Sequence, residues 1–302
     1  MIVLSEHDVR ALLPMDECIE AMDDVLRSLA AGELHQPLRF LTRPPGAESL
    51  MGFMPAHRGG EGAVWSLKEI VIAPENPARG LDAHQGAVLL HDGETGELRA
   101  VLNASPITEI RTAAVSAVAT RALAKAGART VAILGAGVQA RSHAEAMRAV
   151  VADAAMRAWS RSDGGTPEEV LSGADVVCTC TSAREPIVRR EWLAVGAHVN
   201  AVGASLPTTR ELDAETMAAA SVFVDRRESA LNEAGDLLLA GLDEAHIRAE
   251  LGEVLTGAHP GRGDDDELTV FKSLGLAVED LAAAELVVRK AREQGRGTEV
   301  PF

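Results

Sequence analysis

Cysteine is nearly absent: Cys18, Cys178 and Cys180 are the only three in 302 residues. Three thiols so spaced supply neither the paired framework of a disulfide-rich secreted domain nor the ligand set of a zinc site. No metal is expected, and a reducing compartment fits. Also missing is any apolar run near the ~20 residues that a membrane span needs, and the N-terminus lacks the basic-then-apolar order of a signal peptide. The expectation is a soluble, cytoplasmic protein with no membrane partner. Positive charge is in deficit as well: 29 Lys and Arg against 45 Asp and Glu leave a formal net charge of −16. Nucleic acid is therefore not expected as a partner, because only a strong local basic patch would overcome that repulsion.

What the chain does have is apolar material, 47% of its residues, and a length that suggests about two domains. Pro14 to Ala31 reads as an amphipathic helix, with Met15, Cys18, Ile19, Met22, Val25, Leu26 and Leu29 recurring at three and four. From Leu38 to Asn103 the texture changes to short strand-like runs: Leu38–Thr42, Leu50–Met54, Ala63–Ile72, Ala87–His91 and Leu98–Leu102. The turn Asp92-Gly93-Glu94-Thr95-Gly96 joins the last two as a hairpin, so this third reads as an antiparallel sheet. Thr108 to Lys125 is an alanine-rich helical connector that Gly127 ends.

Beyond it the pattern alternates. Strands are expected at Thr130–Leu134, Met156–Ser160, Asp175–Thr181, His198–Val202 and Ser221–Val224, with helices at Gln139–Val151, Glu168–Leu171 and Glu215–Ala219. Such alternation means a parallel sheet with right-handed crossovers. Cys178 and Cys180 fall in one of these strands, where they share a face as small core residues. A last helix, Val278–Lys290, has no strand after it and is expected to return to the first domain.

The first strand of this half runs into Gly135-Ala136-Gly137-Val138-Gln139-Ala140, a G-x-G-x-x-A pattern. The first glycine makes the turn, the second lets backbone approach a pyrophosphate, and the small third residue lets helix pack on strand. A dinucleotide half normally places a full helix and a third strand after its second strand, yet only Ser162 to Thr166 separate Ser160 from the next helix. About one βα unit is missing. In the usual 3-2-1-4 order its loss removes a sheet edge, so the fold survives while the adenine wall is thinned. After the second strand an acidic residue normally meets the ribose of NAD, whereas Ser160-Arg161-Ser162 offers a cation between two hydroxyls. That favours NADP(H), with NAD(H) left open.

Six segments taken in order closely resemble the ornithine cyclodeaminase/mu-crystallin family. They are Gln36-Pro37-Leu38-Arg39, Phe53-Met54-Pro55-Ala56, Arg111-Thr112-Ala113-Ala114-Val115-Ser116-Ala117, the stretch Ile133 to Ala140, Asn200-Ala201-Val202-Gly203-Ala204-Ser205 and Val270-Phe271-Lys272-Ser273-Leu274-Gly275. Within the family the chain is more similar to the mu-crystallin branch, the ketimine reductases, than to the cyclodeaminases. The resemblance implies NAD(P)-dependent dimers in which a substrate domain dimerises through its sheet. It places Arg39, Lys68 and Arg111 around the substrate, Arg111 also toward the cofactor phosphates, Asp236 and Glu233 near the substrate amine, and His84 near the nicotinamide. Val138, Gln139, Thr181, Val202 and Ser273 join Gly135, Gly137, Ser160, Arg161 and Ser162 as expected cofactor contacts.

Residue chemistry agrees with part of this. Arginine offers a carboxylate a bidentate cation, and a lysine buried in the run Val64-Trp65-Ser66-Leu67-Lys68-Glu69-Ile70 would have a lowered pKa suited to acid or base work on an imine. Against those stand a sheet-edge lysine, a helix-surface arginine, solvated or capping acids at Glu233 and Asp236, and a structural histidine at His84. Cyclodeaminases carry a glutamate two residues before the Met-Pro pair, for the second amine of ornithine, and threonine where Ala83 lies. Here Gly52 stands at the first of these positions.

The expected fold class is α/β: a Rossmann-like parallel-sheet domain, shortened by about one βα unit, over residues 113–275, and an α+β substrate and dimerisation domain over 1–112 and 276–302. The expected activity is NADPH-dependent reduction of a ketimine or imino acid. A cyclodeaminase with catalytic NAD(H) and a non-catalytic small-ligand-binding protein are the alternatives. Small imine or amino-acid substrates and a homodimer are the expected partners.

Overall fold

A computed structural model describes residues 1–302, which divide into two compact units, Met1–Arg111 with Leu276–Phe302, and Thr112–Gly275. The first unit contains β1 (Ile2–Leu4), α1 (Glu6–Leu12), α2 (Met15–Ala30), β2 (Leu34–His35), β3 (Phe40–Thr42), β4 (Leu50–Arg58), β5 (Val64–Ile72), β6 (His84–Asp92), β7 (Leu98–Asn103) and the start of α3 (Ala104–Leu123). The second holds β8 (Thr130–Leu134), α4 (Val138–Val150), β9 (Ala155–Trp159), α5 (Pro167–Leu171), β10 (Val176–Thr179), β11 (His198–Ala201), α6 (Ala214–Ala219), β12 (Ser221–Val224), α7 (Arg227–Glu233), α8 (Gly235–Leu238), β13 (Ile247–Glu250), α9 (Leu251–Leu255) and β14 (Thr269–Lys272). The chain then returns to the first unit with α10 (Ala277–Gln294) and β15 (Thr298–Glu299). No helix is long and apolar enough to cross a membrane.

In the first unit the eight strands order as β15-β1-β7-β6-β5-β4-β2, with β3 on β4. Its body is the antiparallel run β4 to β7, where strict alternation sends Met54, Ala56, Ser66, Lys68, Ile70, Val88, Leu90 and Ala100 to the buried face. Helix α10 covers that face by packing against β4, β5 and β6, and α2 packs in turn on α10. Strands β3 to β7 are antiparallel as expected, and the whole sheet is mixed because β1 runs parallel to β7. One correction applies: the last helix is followed by β15, which pairs with β1. Helix α1 was also missed, since seven residues give no periodic signal, although Ser5 and Asp8 form a capping box at its start.

Helix α3 begins four residues earlier than expected, because Asn103 caps it: its Oδ1 accepts from Ser105 N at 3.0 Å. Arg111 therefore lies two turns into the helix rather than in its first turn.

The second unit is a seven-stranded sheet, β13-β12-β14-β11-β10-β8-β9, parallel throughout. Strand β9 is the edge, and no strand lies beyond it where a full dinucleotide half would carry its third. Four-residue strands such as β10, β11, β12 and β14 are wholly buried, with helices on the sheet making a core of Val177, Val199, Val222 and Val270. Strands β13 and β14 were not expected. Cys178 is buried in β10, and Cys180 lies one residue past its end rather than in it. Burial raises the Cys178 thiol to about 12, which fits an inert core residue.

Candidate active site

Lys68 lies mid-strand in β5, in register with Met54 of β4 and Val88 of β6. Alternation turns it inward beneath α10, where it is 1% exposed, so the sheet-edge alternative does not hold. An ammonium so placed needs an anion. The first turn of α10 supplies it: Asp280 Oδ2 is 2.7 Å from Lys68 Nζ. The other oxygen, Oδ1, accepts from Arg111 Nε at 2.9 Å, and Glu279 Oε2 accepts from Arg111 Nη1 at 2.6 Å. All four side chains are buried. Acidic residues are favoured in a helix's first turn by its dipole, and Gln36 secures that turn by accepting from Val278 N at 3.0 Å.

The charges set the proton affinities. Burial pulls Lys68 down to about 8, against the pull of Asp280 upward, with Arg111 and Arg39 adding to the depression. Burial also opposes the charge on Arg111, but Asp280 and Glu279 more than offset it. His84, the first residue of β6, is lowered by lost hydration and then by Lys68 and Arg111. Its carbonyl accepts from Ser105 Oγ at 2.6 Å. The first unit thus brings Lys68, Arg111, Arg39 and His84 into one electrostatic cluster. Asp280 and Glu279 answer the charges of Lys68 and Arg111 within it.

Gly52 shares the buried face of β4 with Met54. A Cβ there would meet Leu41 Cδ2 at 3.0 Å and Ile70 Cγ1 at 3.5 Å, so the space of a longer side chain is already apolar.

In the second unit β8 turns into α4 through Gly135 and Gly137. Gly135 holds φ +130°, and a Cβ on it would lie 2.4 Å from the Cys180 carbonyl oxygen, so the turn admits only glycine. Gly137 is the N-cap of α4 with no side-chain cap, and nothing lies within 4 Å of where its Cβ would be. The N-terminus of this thirteen-residue helix, which starts at Val138, thus faces open backbone over which an anion can approach. Those features fit a dinucleotide pyrophosphate.

At the end of β9, Ser160 is buried and its hydroxyl lies 2.8 Å from that of Ser162 and 2.7 Å from Asp163 Oδ2. Arg161 between them is exposed.

Two residues missed by sequence reasoning organise the carboxyl ends of β10 and β11. Glu211, fully buried, accepts from Thr179 Oγ1 and Thr181 Oγ1, both at 2.6 Å, from Thr181 N at 2.8 Å and from Gly203 N at 2.7 Å. Burial raises its pKa. Lys272, at the end of β14, donates to the Ala201 carbonyl at 3.0 Å and pairs with Asp236 at 3.0 Å. Asp236 in turn accepts from Glu211 N at 2.7 Å and Leu212 N at 2.9 Å. Asp236 is thus bound into this loop network, Glu233 is the last residue of α7, and both belong to the second unit. Val202 follows β11, where its N–H donates to Thr179 O at 3.2 Å, and Ser273 follows β14, donating to Ala201 O at 3.1 Å. Glu279, Asp280 and Glu211 carried no local signal, since each finds its partners only through tertiary contact.

Comparison with known proteins shows the family. The profile of the ornithine cyclodeaminase/mu-crystallin family matches residues 1–168 and 162–295. The chain is 43% identical over 272 residues to ketimine reductase mu-crystallin of Mus musculus, covering 85% of each. It superposes with TM-score 0.94 on Delta(1)-pyrroline-2-carboxylate reductase of Thermococcus litoralis in complex with NADH and L-proline, at 33% identity over 99% of this chain and 100% of that one. An archaeal alanine dehydrogenase dimer with bound NAD gives TM-score 0.93 at 30% identity, over 100% of this chain and 99% of that one. The chain belongs to the ornithine cyclodeaminase/mu-crystallin family.

Proposed function

We propose that the chain is an NADPH-dependent reductase of 2-imino carboxylates, acting as a homodimer on cyclic or acyclic ketimines. The observation that carries this reading is the buried Lys68–Asp280–Arg111 cluster, which pairs a proton carrier with a guanidinium suited to a carboxylate. Arg111, with Arg39, binds the substrate carboxylate, and Lys68 delivers a proton to the imine nitrogen. Helix α4 with Gly135 and Gly137 holds the pyrophosphate, Arg161 with Ser160 and Ser162 meets the ribose phosphate, and Thr181, Val202 and Ser273 line the remaining cofactor wall. When bound, the reduced nicotinamide supplies hydride to the carbon of the C=N bond.

Gly52 favours reduction over cyclodeamination. A second amine in the substrate requires a carboxylate, and this position offers only contact with Leu41 and Ile70. The relatives point the same way, one being a ketimine reductase and the other a reductase of pyrroline-2-carboxylate. The purified protein supplied with pyrroline-2-carboxylate or piperideine-2-carboxylate should oxidise NADPH mole for mole, followed by nicotinamide absorbance. Ammonia release from ornithine with no net loss of NADPH would instead mark a cyclodeaminase. Cofactor binding with neither reaction would mark a binding protein.

A further inference from the structure

The chain has only four lysines, Lys68, Lys125, Lys272 and Lys290, and each is held in an ion pair. Lys68 is distinct among them because its carboxylate is shared with a second buried cation. We propose that Asp280 is a positioning residue that gives one oxygen to Lys68 and the other to Arg111, fixing the two as a unit and keeping the proton on Lys68 Nζ until substrate takes it. The inference rests on the imine-reductase reading for its function and on the cluster alone for its geometry.

Asp280 and Glu279 come from α10, Arg111 from α3, Arg39 from the segment before β3 and His84 from β6. Cys18 of α2, near Arg111 and Glu279, is pushed by burial to about 12 and stays a neutral thiol. Arg111 and Arg39 are the cations among these, and both disfavour an ammonium. Glu279 is committed to Arg111 at 2.6 Å. Asp280 is the carboxylate in direct contact with Nζ, so it opposes both the lost hydration and the neighbouring positive charge. Without it a buried lysine beside two arginines would be neutral at physiological pH, a base where reduction needs an acid. Because the same carboxylate touches Arg111 Nε, it also keeps the proton donor beside the carboxylate-binding guanidinium.

The test reads Lys68 directly. Lysine labelled with ¹³C at Cε gives four resonances, and the one lost in Lys68→Met identifies the residue. In the parent protein its titration midpoint should lie at about 8. In Asp280→Asn the midpoint should fall by about 1–3 units, the effect of one adjacent opposite charge, and Asp280→Glu should recover most of the fall. The alkaline limb of the pH–rate profile of imine reduction, where Lys68 loses its proton, should move in the same direction as the midpoint, which a merely structural ion pair would not require. An unchanged or higher midpoint in folded Asp280→Asn overturns the inference. So does a parent midpoint of about 5–6, the range of a buried lysine without a helping anion, and this holds even if the Asn variant does not fold. The resonance needs no substrate, so the two readings separate. A shifted midpoint in a protein that reduces no imine leaves Asp280 in its place and removes the reductase reading.

Discussion

Arg161 stands exposed two residues past β9, and the neighbouring acid Asp163 is engaged by Ser160. Its Oδ2 accepts from Ser160 N at 3.0 Å and from Ser160 Oγ at 2.7 Å, closing a capping box. With Asp163 so engaged, the exposed guanidinium of Arg161 is what supports the NADP(H) reading proposed above. Arg161→Ala should remove one charge-assisted contact of about 1.5–3 kcal/mol, weakening NADPH by roughly ten- to a hundredfold and leaving NADH nearly unchanged. Fluorescence titration decides it, and equal affinities for the two cofactors in the parent would sink the NADP(H) reading. Lys68→Met keeps an apolar stem beneath α10 but carries no proton. It should lower turnover by about 10²–10⁴ with NADPH affinity intact, and retained turnover would leave the proton to another group. Lys68 and Arg111 could be singled out from the chain because one sits in an alternating strand and both match family segments. Their partners could not, since Arg111 and Asp280 are 169 residues apart and nothing local to α10 marks its first-turn acids as more than dipole-favoured.

Elements follow the same logic of local against distant information. Long, periodic segments such as α2 and the antiparallel strands were legible within a few residues, because one face of each is buried and the period shows it. Strand β14 was not. Its four residues are all buried, so no alternation exists, and it enters the sheet between β11 and β12 after a polar loop. The shortened Rossmann half was legible because a missing unit leaves a spacing in the sequence, seven residues from β9 to α5. What no spacing discloses is Glu211, whose oxygens each receive one backbone N–H and one hydroxyl from the loops after β10 and β11. In Glu211→Gln one oxygen becomes NH₂. The hydroxyl facing it can rotate to accept, but the backbone N–H cannot, and an unpaired buried donor costs about 1–3 kcal/mol. Differential scanning calorimetry should show a lower Tm, and the NADPH Kd should rise because Thr181 and Gly203 are no longer held. A variant with both unchanged would reduce Glu211 to a space-filling residue.

At the scale of the molecule, two chains of net charge −16 repel unless a local apolar face outweighs the charge. The first unit has such a face on the side of its sheet opposite Lys68. Phe53, Pro55, Leu67 and Leu89 point there with Trp65, which is 47% exposed, and Phe40 of β3 is 62% exposed beside Phe53. Strands β4, β5 and β6 are nine residues each, so they run ~30 Å, and with the shorter β3 and β7 alongside they offer roughly 600 Å² of flat area before side chains roughen it. A standard interface needs about 800 Å² from each partner. We propose that this face, with the side chains at its rim, is where the chain meets its copy through a two-fold axis. The parent should sediment at about 63 kDa, twice the 31.7 kDa chain. Trp65→Asp places a charge on the face near one end of its central strand, opposite its neighbours His57 and His91, and should shift the protein toward the monomer at micromolar concentration. Because alternation puts Trp65 and Lys68 on opposite faces, the variant should keep its NADPH affinity. A parent that remains monomeric at tens of micromolar would remove the dimer, and a dimeric Trp65→Asp would move its interface to another surface.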